Sequence, residues 1–207
     1  MRYLPQPGFR RSLLSTGYLA EKVAAYAQSA DIADMAIACV AETEPLGTGG
    51  GFLNAVSNNS FDQPTPAWLV LNGDSLIVTD YRVMLTELAD EKVDGVILGV
   101  KVPDASRFGS LKINSQGELL QFAEKQAGAG IINSGVYLLG DRLLAQFPAH
   151  RPLSFEYDVF STLLAQGAKI KVHAVEAPFL DIGTPTTLAQ AGEFIQSLEM
   201  FKPMESE

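Results

Sequence analysis

Ala67-Trp68-Leu69-Val70-Leu71-Asn72-Gly73-Asp74 holds the key to the chain's layout. Its first five residues are apolar without a break. That run is too short for a helix and lacks alternation, as in a strand covered on both faces inside a layered α/β fold. Gly73 then supplies a flexible joint, and Asp74 a carboxylate just past the strand's end. Open α/β sheets gather their ligands at that place. A carboxylate there can hold Mg²⁺, which takes one or two carboxylates and fills its other positions with water and substrate phosphates. A turn or a helix cap is the plainer role for such an Asp.

The flanking segments support a layered fold. Upstream, Leu13 to Thr16 ends a short strand before Gly17, and Leu19, Val23 and Tyr26 repeat at helical spacing. Met35 to Ala41 is a second apolar run of strand length. A turn of glycines follows, Leu46 to Gly51, leading into a helix with Phe52, Leu53 and Val56 on one face. Downstream, Asp80 precedes a helical pattern of Tyr81, Met84, Leu85 and Leu88, and Val96 to Val102 is another strand. Ser110 to Ile113 and Glu118 to Phe122 flank Asn114-Ser115-Gln116-Gly117, a hairpin with Gly at its turn. Ile131 to Leu139 is a strand, and Ser154 caps a helix running to Leu164. Lys169 to Val175 alternates as a strand. Thr184-Pro185 opens the last helix, which is expected to bury Leu188, Ala191, Ile195 and Leu198. Strand and helix alternate through the first half, so a mostly parallel sheet is expected, made mixed by the hairpin.

The chain has 207 residues, 47% of them hydrophobic and 19% charged, and no composition shift marks a boundary, so one domain over 1–207 is expected. Fifteen basic residues against 24 acidic ones leave a formal charge of −9. That balance offers no electrostatic footprint for nucleic acid or anionic lipid. No apolar stretch reaches the length of a membrane span. The single cysteine, Cys39, cannot form an internal disulfide and suits a reducing cytoplasm, where it is expected to be a buried, inert thiol.

Other stretches carry candidate chemistry. In Glu44-Pro45-Leu46-Gly47-Thr48-Gly49-Gly50-Gly51 the glycines let backbone approach a ligand at a helix start. Phe52 breaks the dinucleotide fingerprint, and no Lys follows the glycines as a phosphate loop requires. A plain strand-to-helix turn fits the segment equally well. Asp181-Ile182-Gly183-Thr184-Pro185 is a second strand end feeding a helix, with a second possible metal ligand in Asp181. Glu124-Lys125 and Asn133-Ser134-Gly135 set polar groups amid apolar sequence, the latter by a bound ligand or a β-bulge. His150 and His173 share no metal-ligand spacing, and His173 is expected to be structural.

In order along the chain, STGYLAE (15–21), EPLGTGG (44–50), VLNGDS (70–75), SRFGSLKINSQGELLQFAEK (106–125), INSGVYLL (132–139), SFEYD (154–158) and FLDIGTP (179–185) resemble the sugar-1-phosphate nucleotidylyltransferases. The likeness is to the branch acting with GTP on mannose 1-phosphate and D-glycero-D-manno-heptose 1-phosphate, and it covers roughly residues 12 to 197. It implies a Rossmann-like nucleotidyltransferase fold and attack of a sugar phosphate on a nucleoside triphosphate, with Mg²⁺ held by Asp74 and Asp181. It assigns nucleotide contacts to Leu46, Gly47, Thr48, Gly49, Gly50, Asn72 and Gly73. Glu124 and Lys125 are assigned to the sugar and its phosphate, and Asn133 and Gly135 to sugar hydroxyls. The partners implied are a nucleotide and a sugar 1-phosphate, with a homo-oligomer open.

One departure goes with the resemblance. The family opens with a strand, a loop of the form G-G-x-G-T-R-L and a P-K-P segment. Residues 1 to 11, MRYLPQPGFRR, contain neither. The expectation is a fold lacking its first strand and glycine loop, with no pyrophosphate release by these 207 residues. The alternative is a non-catalytic homologue that binds sugar phosphate or nucleotide sugar.

Overall fold

The computed structural model describes residues 9–30, 32, 35–61, 64–123 and 125–198. Its elements in chain order are β1 (Arg11–Thr16), α1 (Ala20–Ser29), β2 (Ala36–Ala41), α2 (Gly47–Ser57), β3 (Ala67–Leu71), β4 (Ser75–Ile77), α3 (Arg82–Leu88), β5 (Gly95–Val102), β6 (Ser110–Ile113), β7 (Leu119–Ala123), β8 (Gly130–Gly140), α4 (Phe160–Ala165), β9 (Ile170–Val175), β10 (Phe179–Asp181) and α5 (Pro185–Ser197). A 3₁₀ segment follows β8, and a π-helical turn, Phe155–Val159, leads into α4. Two compact units emerge, each interrupted in sequence. One takes the described residues of Met1–Pro66 with Leu144–Gln166, the other those of Ala67–Leu143 with Gly167–Glu207.

In the first unit β1 and β2 pair in parallel, from Arg11↔Ala36 to Thr16↔Ala41, with α1 as the crossover. Leu19 at φ 58 makes the left-handed joint into α1. Cys39, opposite Leu14, is half-buried rather than buried, as is most of β2. Phe52, Phe147, Phe155 and Phe160 form the aromatic core, with Phe52 and Phe155 centroids 5.6 Å apart. The glycines expected as a turn are already helical, because α2 begins at Gly47. Packing explains them. A Cβ on Gly49 would lie 2.8 Å from Val159 Cγ2, and one on Gly50 3.0 Å from Arg151 Cδ. Ser154 accepts the Tyr157 N–H as expected of a cap, although the turn it opens is π-helical.

The second unit is built on an extended sheet in the order β7-β6-β8-β5-β9, with β3 paired to β8 as well. The sheet is mixed, as expected, but not mostly parallel, since only β5 and β9 run parallel in it. The reason is β8. This 11-residue strand runs antiparallel to β3 through its second half and to β5 along most of its length. The expectation that β3 is covered on both faces fails, since it pairs with β8 alone and is half-buried throughout. Gly95 to Val100 of β5 take that place. The hairpin turns at Asn114–Gly117, whose Gly117 adopts φ 78. Asp80 accepts the Arg82 N–H at the start of α3. The last helix carries the expected cap, with Thr184 and Thr187 bonded reciprocally and Pro185 at its start. Its expected buried face is open, because it packs chiefly on the three-residue β10. Leu188 is 55% exposed, and only Leu198, just past the end, is buried. Among the described residues no helix is long and apolar enough to cross a membrane.

Candidate metal and phosphate site

The second unit brings Asp74 and Asp181 together through a ladder that the sequence reading missed. β4 and β10 pair antiparallel with Asp181 opposite Ser75. The Ile182 N–H donates to the Asp74 carbonyl at 2.7 Å, extending the ladder past its last strand pair. Gly183 follows, and its N–H donates to Asp181 Oδ1 at 2.7 Å. A Cβ on Gly183 would lie 3.0 Å from that oxygen and 3.7 Å from Asp74 Oδ2. Both carboxylates therefore face one small space over Gly183, which any larger residue would fill. Ser75 Oγ donates to Asp74 Oδ1 at 3.4 Å, a long bond that leaves Oδ2 as the reaching oxygen. Asp74 is exposed and Asp181 half-buried.

These two oxygen donors fit Mg²⁺. Among the described residues no cluster of three or more His, Cys, Asp or Glu side chains is placed to cage a metal. A magnesium site needs none, because water and substrate phosphates complete its octahedron.

Asn72, Gly135 and Asn133 form a second group beside the turn after β3. The Asn72 N–H donates to the Gly135 carbonyl at 2.8 Å. Gly135 sits on a bulge, since the β5–β8 register passes from Leu98↔Val136 to Gly99↔Asn133 and skips Ser134 and Gly135. Its φ of 73 and the closeness of Asn72, whose Nδ2 would lie 2.6 Å from an added Cβ, both demand glycine. Ser134 Oγ donates to the Leu98 carbonyl at 2.6 Å and anchors the bulge. Asn133 is oriented by its own neighbours. Its Nδ2 donates to Tyr137 Oη at 2.8 Å, and its Oδ1 accepts the Gly135 N–H at 3.1 Å. The bulge reading of Asn133-Ser134-Gly135 thus holds. Gly73 lies exposed with nothing within 4 Å of an added Cβ. Lys125 is exposed on the segment after β7, while Glu124 lies outside the described residues.

Leu46 to Gly50 belong to the first unit, and their polar groups are largely engaged there. Glu42 Oε2 accepts the Leu46 N–H at 3.1 Å, and the Leu153 carbonyl accepts the Gly49 N–H at 2.8 Å. Thr48 Oγ1 accepts the Phe155 N–H at 3.0 Å. Gly47, at φ 74, has no room for a Cβ against the Leu153 backbone. His173 is structural, as expected, with Nδ1 2.9 Å from Glu87 Oε1.

Comparison with known proteins identifies the fold. A family model described as Nucleotidyl transferase matches residues 2–197. The chain belongs to that family. Its relatives include a mannose-1-phosphate guanylyltransferase of Mycobacterium tuberculosis, 29% identical over 86% of this chain and 49% of the relative. A D-glycero-alpha-D-manno-heptose 1-phosphate guanylyltransferase of Aneurinibacillus thermoaerophilus is 28% identical over 94% of this chain and 82% of that one. The chain thus spans about half the length of the mycobacterial relative. Among solved structures of this nucleotidyl transferase type, HddC from Yersinia pseudotuberculosis superposes with a TM-score of 0.79. It is 33% identical and covers 93% of this chain and 82% of its own. HddC has also been solved in complex with GMP-PN. The mixed-sheet nucleotidyltransferase fold implied by the motifs is therefore correct.

Proposed function

We propose that the chain carries the metal and sugar-phosphate part of a site for transferring a nucleotidyl group, guanylyl by preference, from a nucleoside triphosphate to a mannose- or heptose-type 1-phosphate. The observation that carries this is the convergence of Asp74 and Asp181 over Gly183. Two carboxylates from distant parts of the chain have no structural need to face each other, and like charges repel unless a cation lies between them. In the reaction an oxygen of the sugar phosphate attacks the α-phosphorus in line. The new P–O bond forms as the bond to pyrophosphate breaks. A bound Mg²⁺ would neutralise charge on the phosphate oxygens. Asp74 and Asp181 would hold that charge in place, with room left by the Gly183 backbone. Lys125 attracts the sugar phosphate as a point charge. Asn133 and Gly135 meet sugar hydroxyls, and Asn72 and Gly73 the nucleotide. Leu46 to Gly50 are proposed separately for base and ribose, through groups that packing leaves open. The named relatives and the GMP-PN complex of HddC support guanine and these sugars. A reducing cytoplasm suits the single Cys39.

The test is Mn²⁺ binding, followed by paramagnetic relaxation in the presence of GDP-mannose. Asp74→Asn and Asp181→Asn should each weaken binding by about tenfold or more, in line with the 1.5–3 kcal/mol of a charge-assisted contact. Unchanged binding by both variants defeats the metal assignment.

A further inference from the structure

The segment that carries Lys125 is secured from a distant turn. After β7 ends at Ala123 the chain passes Lys125 and reaches β8 at Gly130. Midway, Gly128 adopts φ 97. Its N–H donates to Asp104 Oδ1 at 3.3 Å, and its carbonyl accepts the Ala105 N–H at 2.9 Å. The same Asp104 Oδ1 accepts the Ser106 N–H at 3.0 Å, and Oδ2 accepts the Ser106 hydroxyl at 2.9 Å. One carboxylate thus closes its own turn and clamps the Lys125 segment from 24 residues away. Ala105, 2% exposed, packs beneath, with its Cβ 3.2 Å from where a Gly130 Cβ would stand. The far end of the turn reaches the sugar-hydroxyl candidate, since the Gly109 carbonyl accepts the Asn133 N–H at 3.0 Å.

We propose that Asp104 is a positioning residue for the sugar phosphate, fixing the Lys125 segment in register with Asn133. The proposal rests on the reading of Lys125 as the phosphate's cation. Three donors converge on the Asp104 carboxylate, two backbone N–H groups on Oδ1 and the Ser106 hydroxyl on Oδ2. The Ser106 N–H, then the Ser106 hydroxyl and the Gly128 N–H, hold this carboxyl below its usual range, so it stays anionic at neutral pH. Oδ1 takes both backbone N–H groups, so Ala at 104 removes the acceptor from the turn and the loop together. Lysine sits on a flexible stem, so the placement of its charge depends on the backbone beneath it.

The experiment measures mannose 1-phosphate and free mannose binding by calorimetry, with amide hydrogen exchange over residues 125–130 read alongside. Asp104→Ala should weaken mannose 1-phosphate by about tenfold, the equivalent of one charge-assisted hydrogen bond, and leave free mannose within about twofold. Exchange over 125–130 should quicken while that of β9 holds. Gly128→Ala provides a second route should Asp104→Ala fail to fold. An added Cβ there meets nothing within 4 Å, yet φ 97 is foreign to alanine, so the loop shifts with Asp104 intact. It should show the same selective loss. Parent-like affinity for mannose 1-phosphate, or parent-like exchange over 125–130, in the folded variants overturns the proposal. A parent protein that ignores mannose 1-phosphate, or a Lys125→Ala variant that binds it normally, defeats the substrate reading instead. Exchange then still decides whether Asp104 sets the loop.

Discussion

Gly135→Ala separates two demands that this position combines. The residue holds φ 73, and an added Cβ would stand 2.6 Å from Asn72 Nδ2 and 2.9 Å from Asn72 Cβ. Left-handed backbone costs a non-glycine residue roughly 1–2 kcal/mol. Overpacking adds roughly 1–3 kcal/mol, because Asn72 is tied to Gly135 by its own N–H and cannot step aside without breaking that bond. The total is about 2–5 kcal/mol. Two other glycines calibrate it. Gly117 has φ 78, but its nearest neighbour would lie 3.9 Å from a Cβ, so Gly117→Ala should cost only the backbone's roughly 1–2 kcal/mol. Gly73 has open space and no positive φ, so Gly73→Ala should be neutral or stabilise by about 0.4–1 kcal/mol through the unfolded chain. Urea unfolding of the three variants, followed by circular dichroism, gives the ranking. If Gly135→Ala loses no more than Gly117→Ala, the close approach of Asn72 is wrong. If both match Gly73→Ala, the left-handed backbone at 117 and 135 is wrong as well.

Three further outcomes are expected. Lys125→Ala should weaken mannose 1-phosphate more than free mannose in calorimetry, and equal losses would assign Lys125 to packing. Asp80, chelated by Arg82, should titrate at about 2 instead of the ordinary 3.8. A carboxyl lowered in the folded state contributes stability above the ordinary range and loses it as pH falls toward 2, an effect kept small by solvent screening of this surface pair. Carbon NMR of the Asp80 carboxyl follows this directly, and its midpoint should rise in Arg82→Ala. Thr184→Ala removes the cap of α5 and should cost about 0.5–2 kcal/mol of helix stability, read as faster amide exchange at Thr187 and Leu188.

Local chemistry was legible in the sequence where a few adjacent residues settle the outcome. Asn114 to Gly117 had to turn, and Thr184-Pro185 and Ser154 had to start helical segments, because donor and acceptor lie within a few residues of each other. Asp74 and Asp181 were each legible as carboxylates at strand ends. Their meeting over Gly183 was not, because it depends on a three-residue ladder between β4 and β10 that leaves almost no local pattern. Burial was the weakest inference. The apolar run of β3 and the helical spacing of α5 indicate a face that tolerates cover, and tertiary structure decides whether cover arrives. The glycines of α2 looked like ligand-contacting backbone, but packing against Leu153, Val159 and Arg151 accounts for Gly47, Gly49 and Gly50. Asp104 was overlooked although D-x-S, with an acceptor two residues before its donor, is a recognisable turn signal. Its reach to Gly128 had no sequence signature.

The interleaving of the two units governs the order in which a growing chain can fold. The first unit's α2 rests on Leu153 and Val159, and Thr48 receives the Phe155 N–H from 107 residues further on. No ribosome-bound intermediate that still lacks Val159 can complete that packing. The second unit likewise waits for β9 and β10. Synthesis at ~5–20 residues per second therefore leaves the glycine face of α2 without Leu153 and Val159 for several seconds. Contacts closed across such long loops form slowly. The interval between synthesis of α2 and of Val159 is thus the stage at which chaperones should matter most.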